Sequence, residues 1–181
     1  DLGVALLGSF DEEERFGYHL MMGNGAGVNS ETNNGKKVYG AFHVKPLEDL
    51  VLQVYGDLEP GGSGADRYTL QGFGGYKKEN WRTGLTYIHR ISHLNGADTT
   101  LKILSGYGAL KLVEKWWGFA RVDRMFDPNP DGNNIAYLPF DNTAQSTFAV
   151  AGLDFEPTKN IHLSPNIEAI FYDKVNGARP G

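Results

Sequence analysis

Polar and apolar side chains alternate along most of this chain. Over 37–45, Val38, Gly40, Phe42 and Val44 interleave with Lys37, Tyr39, Ala41, His43 and Lys45. Over 50–57, Leu50, Leu52, Val54 and Gly56 interleave with Val51, Gln53, Tyr55 and Asp57. The stretch 67–76 sets Tyr68, Leu70, Gly72, Gly74 and Tyr76 against Arg67, Thr69, Gln71, Phe73 and Gly75. Beyond a short charged turn, Trp81, Thr83, Leu85, Tyr87 and Ile91 alternate with Arg82, Gly84, Thr86, Arg90 and Ser92, with Ile88 out of step. In 161–172, Ile161, Leu163, Pro165, Ile167, Ala169 and Phe171 alternate with His162, Ser164, Asn166, Glu168, Ile170 and Tyr172. Successive strand side chains point to opposite sides of a sheet, so this period predicts amphipathic β-strands. Runs 101–112 and 146–156 are mixed and assign no face.

Strand-like runs cover 2–10, 16–25, 37–46, 50–58, 67–77, 81–93, 101–112, 116–127, 146–156 and 161–173. These are about ten strands of ~9–13 residues, longer than the soluble mode of about five or six. A strand tilted across a bilayer needs ~9–11 residues. No segment keeps a capped 3.6-residue apolar period, so no long helix is expected. The connections differ in length by turns. "DEEER", "LED", "KEN", "VEK" and "TKN" are short; "AGVNSETNNG", "EPGGSGAD", "LNGADTT" and "PNPDGNNIAYLPFDNTAQ" are long. Short turns at one rim and long polar loops at the other are the habit of outer-membrane barrels.

These observations predict an all-β fold, an antiparallel up-and-down transmembrane β-barrel, with 1–181 as a single barrel region. Following the hairpins outward puts both ends of the chain on the long-loop side. The expectation is therefore an internal section of a larger barrel, incomplete at both ends, with a closed ten-stranded barrel as the alternative.

Alternation alone does not say whether the apolar face looks at a core or at lipid. A soluble sandwich or lipocalin-like barrel would bury it. Here the apolar faces are diluted with Gly, Ala and Thr, a poor jigsaw for a dry core but tolerable against fluid chains. Phe16, Tyr18, Trp81, Trp116, Phe155 and Phe171 fall near strand ends, as interfacial aromatics do. Composition is compatible with either solvent: 40% hydrophobic residues, mean hydropathy −0.38, 24 glycines and 12% aromatics in 181 residues. The net charge of −5 argues against a general nucleic-acid binder. With no cysteine, disulfide frameworks and thiolate metal sites are ruled out.

The segments "DLGVALLGSF", "FGYHLMMGNGAG", "GKKVYGAFHVKP", "GFARVDRMFDPNPDG" and "AGLDFEPTKNIHLSPNIEAIFYD" together resemble Gram-negative outer-membrane porins. They are most similar to the phosphate-selective porin O/P-like group and related Bacteroidetes/Chlorobi-type barrels. The resemblance implies a bacterial outer-membrane, multi-pass β-barrel that passes small solutes, often as a homotrimer. Its partners would be outer-membrane lipids and small solutes, anions among them, with no cofactor.

On this reading the polar faces line a pore, and the expected lining is Lys37, His43, Lys45, Asp57, Arg67, Gln71, Arg82, Arg90, Arg121, Asp123, His162, Asn166 and Glu168. The charges among them, with Asp154, are slightly basic in balance. Basic rings lower the entry barrier for anions, and guanidinium forks match carboxylate and phosphate oxygens. The competing expectation is that these charges pair across strands and stiffen the wall. "DPNPDG" offers Asp127, Asn129 and Asp131 as a weak calcium loop, but Leu138 stands where the twelfth-position acid belongs. "GFGGY" lacks the helix that a phosphate loop requires. The histidines, at 19, 43, 89, 93 and 162, have no helical ligand spacing, and His89 and His93 would stand about 13 Å apart along a strand. No nucleophile–base arrangement can be argued from spacing, so an enzyme is not expected. The function expected is passive diffusion of small hydrophilic solutes with weak anion preference. The alternatives are a structural barrel sheathing a partner complex and, behind it, a soluble ligand-binding barrel.

Overall fold

The computed structural model describes residues 2–25, 35–61, 65–94, 96–135, 138 and 140–175. Eleven strands form one antiparallel up-and-down sheet. They are β1 (Gly3–Ser9), β2 (Phe16–Gly23), β3 (Lys37–Leu47), β4 (Leu50–Glu59), β5 (Arg67–Lys77), β6 (Trp81–Leu94), β7 (Ala97–Val113), β8 (Trp116–Met125), β9 (Ser146–Thr158), β10 (Ile161–Leu163) and β11 (Asn166–Tyr172). The helical content among the described residues is one 3-10 turn, Gly132–Asn134. No helix among them is long and apolar enough to cross a membrane, which leaves strands untouched as a means of crossing.

Three expectations are corrected. The sheet is not closed: among the described residues β1 pairs with β2, and both β10 and β11 pair with β9, so the closed ten-stranded alternative does not hold. The run 161–173 is two strands, broken at Ser164 and Pro165, because proline has no N–H to give to the ladder. Its carbonyl still accepts the Leu153 N–H at 3.1 Å, and the alternation of faces carries through the break. The connection "LNGADTT" is not a long loop. β6 runs to Leu94 and β7 starts at Ala97, and Gly96 takes φ +81°. An Asn-Gly pair between two strands is a strong tight-hairpin signal. Of the other long connections, 26–34 and 62–64 lie outside the described residues.

The short turns are as expected. In the first, the Asp11 carboxylate accepts the Phe16 N–H at 3.0 Å and the Arg15 Nε–H at 2.9 Å. The Phe16 N–H, and after it Arg15, hold the Asp11 carboxyl below its ordinary range. Glu14 and Asn160 adopt φ of +53° and +70° to close their turns.

The chain divides into two compact units, Asp1–Gly74 with Tyr87–Thr100, and Gly75–Thr86 with Leu101–Gly181. In the first, cross-strand register aligns Val4, Met22, Val38 and Leu58 in one row, Gly8, Tyr18, Phe42 and Val54 in another, and Phe16, Val44 and Leu52 in a third. Directly opposed residues share a face. That face carries no charged side chain from β1 to β4, and it stands uncovered: Val54 is 57% exposed. On the opposite face Asp57 keeps only 4% of its side chain exposed.

In the second unit the apolar face runs through Leu104, Gly106, Leu110, Val122, Ala149, Ala151, Leu153 and Ile167, the last 80% exposed. Its one charge in β8, Arg124, donates to both Asp173 oxygens at 3.2 and 2.6 Å and also to Gln145. The other face is covered near the long-connection end by the segment after β8. Phe140 meets Phe148 edge-on at 6.1 Å, and the Tyr172 hydroxyl oxygen accepts the Asp141 N–H at 3.1 Å. Phe140, Ala144 and Met125 are buried there. This accounts for the mixed run in β9, which carries Phe148 on that face where the segment packs.

Candidate functional site

The polar faces carry the candidate chemistry. In the first unit, β3 presents Lys37, Tyr39 and His43, and β4 presents Gln53, Tyr55, Asp57 and Glu59, with Tyr39 opposite Asp57 and His43 opposite Gln53. The Lys37 ammonium lies 3.2 Å from Glu59 and 3.6 Å from Asp57 Oδ1, and 4.8 Å from the Tyr39 ring centroid. Arg67 donates to Glu59 at 2.6 Å. The Tyr55 hydroxyl donates to Asp57 Oδ2 at 2.6 Å. Asp57 Oδ1 is buried with no hydrogen bond, so the nearby ammonium is what compensates it. Removing either side of such a pair strands a charge in a poorly hydrated place.

Three of the sequence-expected residues, Lys37, Asp57 and Arg67, thus meet in one network. Glu59 joins them although the sequence reading placed it in a loop. The signal was present, since Gln53, Tyr55, Asp57 and Glu59 continue one alternation. Gln71 sits farther along the same face of β5, half-buried. His43 lays its ring over Gly17, and a Cβ there would stand 2.2 Å from it. Lys45 lies at the short-turn end, 3.9 Å from Glu14. A shallow cavity of about 400 Å³ lies beside it, lined by Glu13, Arg15, Lys45, Pro46, Leu47 and Glu48. Arg90 is half-buried in β6 and already engaged with a neighbour.

In the second unit Arg121 donates to Asp123 at 2.8 Å, within one strand and on one face. Arg82 lies 5.7 Å from the Trp117 ring centroid, and Trp117 faces Asp154 across the β8–β9 ladder. Asp154 accepts from Ser164 at 2.7 Å and lies 3.0 Å from His162 Nδ1. This brings a serine, a histidine and an aspartate together, which spacing did not foretell. The carboxylate stands in the middle, however, and in a nucleophilic triad the imidazole must stand there to take the serine proton. The arrangement braces β10 against β9 instead. Asn166 donates to the Ser164 carbonyl at 3.0 Å, and Glu168 is exposed opposite Val150.

The calcium-loop residues do not converge. Asp127 accepts the Lys102 N–H at 3.0 Å, and Asn129 Oδ1 accepts the Asp131 N–H at 3.1 Å. Among the described residues no three His, Cys, Asp or Glu side chains gather as a metal site.

Aromatic rings collect at the short-turn ends of the apolar faces. Phe10 contacts Tyr18 and Phe42 at centroid distances of 5.0 and 6.3 Å. Tyr76 stacks on Trp81 at 5.2 Å, and Trp116 on Phe155 at 4.5 Å. No family model, curated protein or solved structure matches the chain.

Proposed function

We propose that this chain is part of an outer-membrane β-barrel that lets small hydrophilic solutes diffuse through it. The observation that carries this reading is the inverted exposure of the sheet. In each unit the apolar face is uncovered, while basic and acidic side chains pair on the opposite face. A bare apolar area of several strands is far more than the few hundred Å² a soluble monomer exposes. Hydrocarbon is the solvent that fits it, because the first unit's face carries no charge from β1 to β4 and has the Phe10 and Tyr18 rings in contact near the short turn after β1. Backbone groups in lipid must bond within the structure, so in the membrane the sheet's two edges need further strand pairing to close a barrel. The polar faces then look on water, and the segment after β8 narrows the passage at the long-connection end.

The test is reconstitution of the full-length protein in planar bilayers. Stepwise conductance supports the channel. Folded protein in detergent without conductance supports the structural barrel, for which the packed segment around Phe140 and Ala144 speaks. A β-rich monomer soluble without detergent overturns both.

A further inference from the structure

We propose that the polar wall is charge-compensated, so that the natural cargo is small hydrophilic solutes of zero net charge rather than anions; this rests on the channel reading above. Anion preference needs cations whose donors face the passage unmatched, since only they lower the entry barrier for one sign of ion. Here four of the basic groups expected to line the passage come matched, while Arg82 lies against the Trp117 ring. Lys37 lies between Asp57 and Glu59, Arg67 shares Glu59, Arg121 holds Asp123, and Lys45 reaches Glu14. The Arg67 and Arg121 contacts, at 2.6 and 2.8 Å, are direct hydrogen bonds from guanidinium to carboxylate. A solute carboxylate or phosphate would have to displace a tethered carboxylate, whose effective concentration far exceeds that of a dilute solute.

The field of such a wall is that of opposed charges a few ångströms apart. A chloride or potassium ion passing it feels contributions of both signs, and salt screens what remains. A neutral solute loses no charge hydration on entry. It can still exchange hydrogen bonds with hydroxyls and amides on the same faces, such as those of Tyr55, Gln53 and Gln71. Glu59 is the residue that alters the balance drawn from sequence, because it adds a carboxylate where two cations meet.

The experiment is the reversal potential of the full-length protein in planar bilayers under a potassium chloride gradient. The wild type is expected to pass chloride and potassium within about twofold of equally. Asp57→Asn leaves Lys37 under-compensated and shifts the ratio toward chloride. Lys37→Gln shifts it toward potassium, and the double variant returns it near unity. Arg121→Gln keeps the test open should the variants of buried Asp57 or Lys37 not fold, because its side chain is 55% exposed; it shifts the ratio toward potassium. A wild type tenfold or more selective for chloride overturns this inference and leaves the channel standing. Substitutions that conduct without shifting the ratio, or that shift it in the same direction, overturn it too. A folded wild type without conductance overturns the channel reading and this inference with it.

Discussion

Arginine placed at position 54 separates lipid from water as the solvent of the apolar face. Val54 lies mid-strand in β4, opposite Phe42, and is 57% exposed. If that face meets water, Val54→Arg is a surface substitution and changes stability by about 0.5 kcal/mol or less. If it meets hydrocarbon near the bilayer midplane, the same change costs about 2–4 kcal/mol. Leu58, one residue before the end of β4, supplies the depth control. Leu58→Arg reaches the interface and costs about 0–1 kcal/mol. The assay is equilibrium urea unfolding of the full-length protein in phospholipid vesicles, followed by the fluorescence of Trp81, Trp116 and Trp117. A loss at 54 that exceeds the loss at 58 by ~2 kcal/mol is expected. Equal losses under 0.5 kcal/mol at both would refute lipid exposure of β4.

Other consequences follow from single contacts. Gly17→Ala sets a Cβ 2.2 Å from the His43 ring and should cost about 1–3 kcal/mol in the same assay, whereas Gly72→Ala, with nothing within 4 Å, should be neutral or stabilising. Asp11 is held below its ordinary pKa, so the stability it contributes is present above its unfolded value near 3.9 and is lost as pH falls through its folded value. The urea midpoint of wild type should therefore exceed that of Asp11→Asn at pH 5, and the gap should close by about pH 2; a gap constant with pH refutes the link. Phe140→Ala removes the ring that holds the segment after β8 to Phe148, and limited proteolysis should then cut within 128–145 faster than in wild type. Unchanged cleavage would mean that Tyr172 and Arg124 suffice as anchors.

Much of the strand plan was legible in alternation, because β3, β4 and β5 keep apolar and polar residues on opposite faces. Legibility failed where that condition failed. β9 packs against the segment after β8 on a face that elsewhere is polar, so Phe148 obscures the period there. The Asn95-Gly96 pair was readable as a tight turn, and its flanking polar residues disguised it as a loop. Pro165 interrupts hydrogen bonding without interrupting alternation, so a pattern of faces does not reveal the break. In the candidate site, the faces of Lys37, Asp57 and Arg67 followed from parity. Their meeting at Glu59 did not, since it depends on register between strands rather than on period within one. The same holds for Asp154, His162 and Ser164.

The apolar face against lipid is tested most directly by site-directed spin labelling along β4. The chain has no native cysteine, so single cysteines at positions 50–59 can each carry a nitroxide in the full-length protein in vesicles. Lipid exposure predicts high oxygen accessibility at Leu52, Val54 and Leu58, and high access to a water-soluble nickel complex at Gln53 and Tyr55. Nickel access at Leu52, Val54 and Leu58 equal to that at Gln53 and Tyr55 would contradict it.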